Sequence, residues 1–358
     1  MLNPREAVRK LKSYHPPLGN RQGLRLDFNE NTVGCSPRVM QRLRKLDAEQ
    51  LARYPEREPL EAVVASHLGI RAEELLLTNG TDEAIHLVCE TYLEPGDEAL
   101  IVVPTFSMYE IYAAATGAKV IAVPAAEEFR FPLENVIAHI NERTRLIAVA
   151  NPNNPTGTMA SRNDLLKIAE HAPNSAILID EAYFEFCGET LLPEVRTSSN
   201  LFVSRTFSKA YGLAGLRIGI LAGHQEQIHF VRPVSSPYNV NSIALACLPD
   251  ALGDQEYVQQ YVDEILAGRN RLERELQDWG IKFWPSRANF VLMHFGSQAS
   301  AFISAMREKG ILVRDRSSDH GCVGCVRITL GSKAQTDQML TALRETFEQI
   351  AIRQQVRR

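Results

Sequence analysis

Residues 201–217 read Leu-Phe-Val-Ser-Arg-Thr-Phe-Ser-Lys-Ala-Tyr-Gly-Leu-Ala-Gly-Leu-Arg, a short apolar run that leads into small and polar residues. Apolar runs of this kind recur along the chain, bounded by turn residues and separated by helical patterns. Continuous apolarity is typical of strands buried on both faces of a parallel sheet. The runs lie at 75–77, 99–103, 120–123, 146–150, 176–179, 201–203 and 218–222. They predict an α/β fold with a mostly parallel, seven-stranded sheet and helices on both faces.

The pattern changes after about residue 250. A charged helical pattern and a closing helix flank three strand-like pieces in this part of the chain. The helical patterns cover 255–279 and 337–350, and the strand-like pieces cover 289–293, 311–314 and 326–330. Because 358 residues are long for one core, we expect two domains. The large domain is predicted over 26–250, and a smaller α+β domain over 1–25 and 251–358.

The composition is that of an ordinary globular protein, with 45% hydrophobic and 23% charged residues. A net charge of −4 argues against a general nucleic-acid binder. No run approaches the roughly 18 apolar residues of a membrane span, and the N-terminus lacks the apolar core of a signal peptide. Six scattered cysteines favour a cytoplasmic location. Cys322 and Cys325 are interpreted as small apolar residues beside a strand.

Polar residues follow five of the predicted strands at the points where the strands end. These segments begin at Thr78, Pro104, Asn151, Asp180 and Ser204. In open parallel sheets, ligands bind outside the carboxyl ends of the strands. The sequence therefore predicts a ligand site at this edge of the sheet.

Lys209 is the residue in these segments with the most distinctive surroundings. Its amine could form a Schiff base with a cofactor aldehyde, and the hydroxyls of Thr206 and Ser208 with the guanidinium of Arg217 could hold a phosphate. The alternative is a solvated surface lysine, which is what most lysines are.

A phosphate needs a further binding element, since the chain has no Gly-x-Gly-x-x-Gly motif or P-loop. Gly80, Thr81 and Asp82 lie at the predicted start of a helix, where free backbone N–H groups and the helix dipole favour an anion. Plain capping of the helix by these residues is the alternative.

Asp180 ends a predicted buried strand, so its carboxylate needs a partner. Beside a pyridine nitrogen, at ~4 Å and an effective dielectric of about 20, it would contribute roughly 4 kcal/mol and keep the ring protonated. A salt bridge to an arginine is the alternative. Asn154, ahead of a Pro/Gly turn, and Tyr183 could donate to a phenolate oxygen, although such turns are also common without a ligand.

Arg314 and Arg327 each interrupt a late strand-like run. Arg327 alternates with apolar neighbours, so it is expected to face away from the apolar side, where a solvated face is the default interpretation. Two arginines on neighbouring elements would alternatively make a bidentate site for phosphate or carboxylate.

Several of these segments match the motifs of a known enzyme family, in the family's order and through nearly the whole chain. The motifs are Asp-Phe-Asn-Glu-Asn at 27–31, Arg-Tyr-Pro-Glu at 53–56, Thr-Asn-Gly-Thr-Asp-Glu at 78–83, Pro-Thr-Phe at 104–106, Asn-Pro-Asn-Asn-Pro-Thr-Gly at 151–157, Asp-Glu-Ala-Tyr at 180–183, Ser-Lys at 208–209 with Gly-Leu-Arg at 215–217, and Val-Arg-Ile-Thr-Leu-Gly at 326–331. The chain thus resembles the fold-type-I pyridoxal-phosphate (PLP) aminotransferases, and among them the histidinol-phosphate aminotransferase branch. The resemblance implies an aspartate-aminotransferase-like large domain.

The resemblance implies a role for each site residue. Lys209 would bind the cofactor and shuttle the substrate proton, Asp180 would pair with the pyridinium nitrogen, and Asn154 and Tyr183 would bond the phenolate oxygen. Phe106 would stack on the ring. The residues that would hold the cofactor phosphate are Gly80, Thr81, Asp82, Thr206, Ser208 and Arg217, with Tyr54 reaching in from the other subunit of a homodimer. Those that would bind substrate are Arg314, Arg327, Asn31 and Asn154.

The implied reaction is transamination between L-histidinol phosphate and 2-oxoglutarate in histidine biosynthesis. An aromatic amino-acid aminotransferase, a threonine-phosphate decarboxylase and, more remotely, a non-catalytic PLP-binding regulator are the alternatives. The chain departs from the family pattern after Asn31, where the sequence continues with Thr32, Val33 and Gly34 and lacks the more usual Pro-Tyr.

Overall fold

The computed structural model describes residues 2–13, 19 and 21–356. Its strands are β1 (Leu24–Arg25), β2 (Leu75–Thr78), β3 (Glu98–Val103), β4 (Lys119–Pro124), β5 (Thr144–Ala150), β6 (Ala176–Asp180), β7 (Leu201–Thr206), β8 (Gly219–Gly223), β9 (Phe283–Trp284), β10 (Phe290–His294), β11 (Ile311–Leu312), β12 (Arg314–Asp315) and β13 (Cys325–Thr329). Its α-helices are α1 (Glu6–Arg9), α2 (Pro37–Arg44), α3 (Ala48–Ala52), α4 (Glu58–Leu68), α5 (Gly80–Tyr92), α6 (Met108–Thr116), α7 (Leu133–His139), α8 (Arg162–His171), α9 (Gln225–Val231), α10 (Ser242–Leu252), α11 (Gln255–Asp278), α12 (Ala299–Glu308) and α13 (Lys333–Val356). None of these helices is long and apolar enough to cross a membrane.

The main sheet has seven strands in the order β2-β8-β7-β6-β5-β3-β4. All of them run in one direction except β8, which is antiparallel to both of its neighbours. The seven apolar runs therefore correspond to the seven strands, and the predicted mostly parallel sheet is confirmed. The reversal of β8 brings its amino end, preceded by Arg217, to the same edge as the carboxyl ends of the other strands.

Helices cover both faces of the main sheet. The side chains of each strand alternate between the two faces, and because the strands are continuously apolar, both faces must be buried. On β6, Ile177 and Ile179 pack into one buried cluster, whereas Leu178 packs into the other. The second cluster also contains Ile85 and Val88 of α5. The sheet is thus a rigid platform, and its carboxyl edge is the surface left between the two helical layers.

Strand β4 departs from the expectation of burial on both faces. Among the described strands it has only β3 as a neighbour, and Lys119, Ala122 and Pro124 are exposed. Its run 120–123 was sufficient to predict a strand but carried no information on its place at the edge of the sheet.

The C-terminal part forms a four-stranded antiparallel sheet in the order β12-β13-β10-β9, while β11 pairs with β1 in a separate parallel pair. The predicted strand 311–314 is therefore wrong as a single element. It is divided at Val313 because Ile311 and Leu312 pair with β1, whereas Arg314 pairs with Arg327 of β13. This division carries β12 over the carboxyl edge of the main sheet.

Candidate active site

A cavity of about 360 Å³ lies at the carboxyl edge, between the main sheet, residues 27–30 and the β12–β13 pair. Most of the residues predicted from the sequence line it together. These are Thr81, Asp82, Phe106, Asn154, Asp180, Tyr183, Thr206, Ser208, Lys209, Arg217, Arg314 and Arg327. Three predicted residues are not among its lining residues: Gly80, Asn31 and Tyr54.

Lys209 follows β7 and projects into the cavity, so the alternative of a surface lysine is excluded. Its Nζ donates to the carbonyl oxygen of Phe28 at 3.2 Å. Burial, reinforced by the positive charge of Arg327, lowers the pKa of Lys209 to about 8. A large fraction of the amine is therefore neutral near that pH and able to act as a nucleophile or a base.

Asp180 is the last residue of β6 and is buried. Its Oδ2 accepts from the hydroxyl of Tyr109 at 2.5 Å and its Oδ1 from the backbone N–H of Ala182 at 3.1 Å. These bonds do not offset burial, which raises the pKa of Asp180 to about 6. The alternative prediction is a salt bridge between Asp180 and an arginine. In the described part of the chain, neither an arginine nor a lysine forms an ion pair with Asp180. A buried carboxylate without a cation suits a protonated ring nitrogen.

The start of α5 and the residue before β8 form a tight cradle. Gly80 has a φ of +73°, and a Cβ there would lie 2.7 Å from Nη2 of Arg217. Arg217 itself adopts the left-handed conformation with a φ of 53°, and its Nη2 donates to Oδ2 of Asp82 at 3.0 Å. Although Gly80 does not line the cavity, its lack of a side chain is what leaves room for the guanidinium.

Hydroxyl groups complete this cradle. Within the described residues, Oγ1 of Thr81 is buried without a hydrogen-bond partner. Thr206 Oγ1 donates to Ser208 Oγ at 2.9 Å and accepts from the Ser208 N–H at 3.1 Å. A buried hydroxyl lacking a partner, beside a guanidinium and a helix N-terminus, fits a phosphate group. Together with Lys209 and Asp180, the cradle fits pyridoxal phosphate.

Two further side chains line the space between Lys209 and Arg327. The hydroxyl of Tyr183 accepts from Nδ2 of Asn29 at 2.9 Å, and Asn154 Oδ1 accepts from Nη1 of Arg327. Burial raises the pKa of Tyr183, against the opposing effect of the Arg327 charge. The Tyr183 hydroxyl therefore stays protonated at neutral pH and is able to donate a hydrogen bond.

Arg314 and Arg327 are directly opposite each other on β12 and β13. The default interpretation of Arg327 as a solvated residue is wrong, because it is 4% exposed and its Nη2 donates to the carbonyl oxygen of Asp27 at 2.6 Å. Residues 27–29 cover the face of β13 that carries Arg327 and Thr329. Like charges directly opposite on a sheet repel each other, so the pair favours an anion between them.

Asn31 and Tyr54 lie elsewhere in this chain. The Asn31 amide holds its own loop, since Oδ1 accepts from the N–H groups of Val33 and Gly34 at 2.9 and 3.0 Å and Nδ2 donates to Ala210 at 3.0 Å. Tyr54 is 77% exposed. Its ring stacks on Tyr238 at a centroid distance of 4.4 Å.

The structure adds residues that the sequence analysis missed. Tyr109 bonds Asp180 and also packs edge-on against Phe106, with ring centroids 5.9 Å apart. Asn29 lines the cavity in place of Asn31, and Arg316 contributes a third guanidinium to the β12 side. The spacing of Arg314 and Arg316, two residues apart in an extended run, was an available signal for Arg316.

Metal and disulfide chemistry have no support in the described residues. No group of three or more potential ligands is present there, and all six cysteines are free. Cys322 and Cys325 are buried against Trp284 and Leu292, as expected of small apolar residues.

Comparisons with known proteins identify relatives over nearly the whole chain. The family profile for aminotransferase class I and II matches residues 21–343. Histidinol-phosphate aminotransferase from Geobacillus sp. strain WCH70 is 33% identical over 355 residues, covering 97% of this chain and 96% of that protein. Histidinol-phosphate aminotransferase 1 from Bacillus anthracis is 35% identical over 329 residues, covering 90% and 88%. The crystal structure of histidinol-phosphate aminotransferase from Sinorhizobium meliloti in complex with pyridoxal-5'-phosphate superposes with a TM-score of 0.89 at 26% identity, covering 98% of this chain and 99% of that one.

Proposed function

The chain belongs to the class I and II aminotransferase family, and from this membership we propose that it transfers the amino group of L-histidinol phosphate to 2-oxoglutarate. The products are imidazole-acetol phosphate and glutamate, and the step belongs to histidine biosynthesis. The main structural support for this substrate is the pair Arg314 and Arg327, which lines the same cavity as Lys209. The names of the relatives from Geobacillus and Bacillus support the same reaction.

PLP is the cofactor of this reaction, and when bound it supplies a conjugated ring that draws electrons from the bonds of the substrate Cα. Lys209 would hold its aldehyde carbon and Asp180 its ring nitrogen. Phe106 would lie against the ring, and Asn154 and Tyr183 would donate to its phenolate oxygen. The residues of the phosphate cradle would be Gly80, Thr81, Asp82, Thr206, Ser208 and Arg217, as the resemblance implied.

Lys209 moves the proton in this proposal. Because its pKa is about 8, Nζ can accept the proton of the substrate Cα near neutral pH and then release it. Asp180 acts electrostatically: its carboxylate, costly when buried alone, is stabilised by a positive charge on the ring nitrogen.

The two arginines orient the substrate. A guanidinium donates two parallel hydrogen bonds to phosphate or carboxylate, so Arg314 and Arg327 can hold the phosphate of the amine and then the carboxylates of 2-oxoglutarate. Asn154, whose oxygen accepts from Arg327, fixes the direction of that guanidinium.

A homodimer with shared active sites is part of the proposal. Tyr54 is exposed and lies outside the cavity of its own chain, which is compatible with a role in the cavity of a second copy. The six free cysteines support a reducing, cytoplasmic location.

Product analysis with three amino donors tests the reaction. The purified protein with PLP and 2-oxoglutarate is expected to form glutamate from histidinol phosphate at a kcat/KM at least about 100-fold above that with phenylalanine. Threonine phosphate should release no CO2. Preferred turnover of phenylalanine would indicate an aromatic aminotransferase, and CO2 release would indicate a decarboxylase. Full activity of a Lys209→Ala variant would refute the mechanism itself.

A further inference from the structure

A third arginine faces the substrate side of the cavity. Arg316 lines the same cavity as Arg314, and its backbone N–H donates to the carbonyl oxygen of Cys325 at 3.0 Å. That bond continues the ladder of β12 and β13 past the end of β12. Arg314 and Arg316 are two residues apart in an extended segment, so they project to the same side.

The Arg316 side chain is held in place and largely removed from solvent, with 12% of it exposed. It forms an ion pair with Asp319, whose backbone N–H donates to the Arg316 carbonyl oxygen at 2.9 Å and closes a turn. Its Nε is buried and lacks a hydrogen-bond partner among the residues that the structure describes. The guanidinium is therefore positioned by its own turn and retains a donor that this turn does not satisfy.

Arg316 also acts electrostatically on the reaction site. Together with Arg327, its charge favours the ionised form of Tyr183, although burial still raises the pKa of that hydroxyl. The burial of Asp319 raises its pKa, which the charges of Arg316, Arg327 and Arg314 oppose. The three guanidinium groups therefore all act electrostatically on Asp319, which lies in the turn between β12 and β13.

The two substrates of the proposed reaction present different anions to these arginines. A phosphate has three terminal oxygens and carries about −1.5 to −2 charge at pH 7, whereas a carboxylate has two oxygens and one charge. Two arginines, each binding through two nitrogens, suffice for a carboxylate. The third oxygen and the additional charge of a phosphate call for a further cationic donor.

We propose that Arg316 is the specificity residue that distinguishes the phosphate of the amine substrate from the carboxylates of the second substrate pair. Arg314 and Arg327 bind both kinds of anion, and Arg316 contacts only the phosphate. This inference rests on the proposed function, and it adds to that function a contact between Arg316 and the phosphate of the amine substrate.

Single-turnover kinetics of Arg316→Met test the assignment. The PLP-loaded variant is mixed with histidinol phosphate and, separately, with glutamate, and the absorbance of the cofactor is followed. Loss of a charged hydrogen bond is expected to lower kcat/KM for histidinol phosphate by about 10- to 100-fold. The lower kcat/KM for histidinol phosphate should result mainly from a higher KM. The kcat/KM for glutamate should stay within about threefold of that of the wild type.

Three controls separate the possible outcomes. Arg314→Met should lower kcat/KM for both substrates, and Arg287→Met, which removes a half-exposed arginine paired with Glu189, should lower neither. Arg316→Lys keeps the charge but not the planar guanidinium, so it should lower kcat/KM for histidinol phosphate by an intermediate factor and leave the value for glutamate unchanged. This variant also tests the proposal if Arg316→Met does not fold.

Equal losses on both substrates, or no loss on histidinol phosphate, would overturn the role of Arg316. Failure of the proposed function is distinguishable, since it would be seen as no reaction of the wild-type protein with histidinol phosphate.

Discussion

At the residue scale, the side chain of Lys209 carries a charge that its surroundings disfavour. Burial and the nearby Arg327 lower its pKa from the ordinary value of 10.5 to about 8. An exposed lysine at pH 8 is neutral in less than about 1% of molecules, whereas Lys209 is neutral in about half. The structure therefore prepares the amine for reaction before any cofactor binds.

The pH dependence of cofactor binding follows from this shift. Only the neutral amine attacks an aldehyde, so the rate at which cofactor-free protein binds PLP should rise nearly tenfold per pH unit below about 7 and level off above about 8. Stopped-flow absorbance measures this rate, and a free amine of ordinary pKa run in parallel corrects for ionisation of PLP. A rate that still rises steeply at pH 9 would contradict the shift.

The substitution Asp180→Asn is expected to change the stability of the cofactor-free protein and its affinity for PLP in opposite directions. Its folded-state pKa of about 6 lies above the unfolded value of 3.8. The contribution of Asp180 to stability is thus present below about pH 4 and is lost as the pH rises through 6. At pH 8, cofactor-free Asp180→Asn should be more stable than wild type by up to about 3 kcal/mol, while its affinity for PLP falls.

Urea unfolding at pH 5 and pH 8 measures this difference, which should be larger at pH 8. A variant less stable than wild type at pH 8 would show that the hydrogen bonds from Tyr109 and Ala182 outweigh burial.

Individual site residues differ in how far the sequence could predict them. Asp180 and Lys209 follow strands, so the apolar runs alone placed them at one edge. Tyr109 lies 71 positions from Asp180, and only the packing of α6 against the sheet brings the two together. The burial of Arg327 depends on residues 27–29, which cover β13 from the far end of the chain, and no local pattern contains that contact.

At the element scale, the start of α5 requires glycine for two separate reasons. Gly80 has positive φ, and any Cβ would displace the Arg217 guanidinium 2.7 Å away. Gly69, at the end of α4, has a similar φ of +71° but nothing within 4 Å of its Cβ position. Both glycines thus have the left-handed backbone conformation, but only at Gly80 would a Cβ contact the Arg217 guanidinium of the candidate site.

Alanine substitutions at these glycines separate the two effects. Gly80→Ala and Gly69→Ala should each lower the free energy of unfolding by about 1 kcal/mol or more, from the left-handed conformation alone. Only Gly80→Ala should weaken PLP binding, by about tenfold or more, as measured by fluorescence titration. Equal affinity for PLP in both variants would contradict a phosphate cradle at Gly80.

The predictability of the strands also has a physical limit. Runs buried on both faces were recognised because apolarity is continuous there. The run 311–314 looked like one strand because apolar content does not reveal which partner each residue pairs with. Ile311 and Arg314 belong to different sheets, and this division, rather than the composition of the run, positions Arg314 over the cavity.

At the scale of the whole molecule, the N-terminal and C-terminal parts are joined by the pairing of β1 with β11. This pairing is compatible with the proposed small domain of 1–25 and 251–358, which stays a prediction together with the 26–250 boundary. Residues 1, 14–18, 20, 357 and 358 of that domain lie outside the described part of the chain.

Shared active sites make a quantitative prediction for mixed dimers. Tyr54→Ala and Lys209→Ala homodimers should both be nearly inactive. In a heterodimer of the two variants, one site has both residues intact, so random re-association should restore about a quarter of wild-type activity. Activity of the mixture equal to the sum of the separate variants would contradict a contribution of Tyr54 across subunits.

A single-turnover reaction of the PLP-loaded protein with L-histidinol phosphate, followed by absorbance, tests the proposed transamination most directly. We expect a rapid and complete change in the cofactor spectrum, which 2-oxoglutarate reverses and the Lys209→Ala substitution abolishes. Phenylalanine and threonine phosphate should react at least about 100-fold more slowly. A spectrum unchanged by histidinol phosphate but rapidly changed by phenylalanine would contradict the proposed reaction.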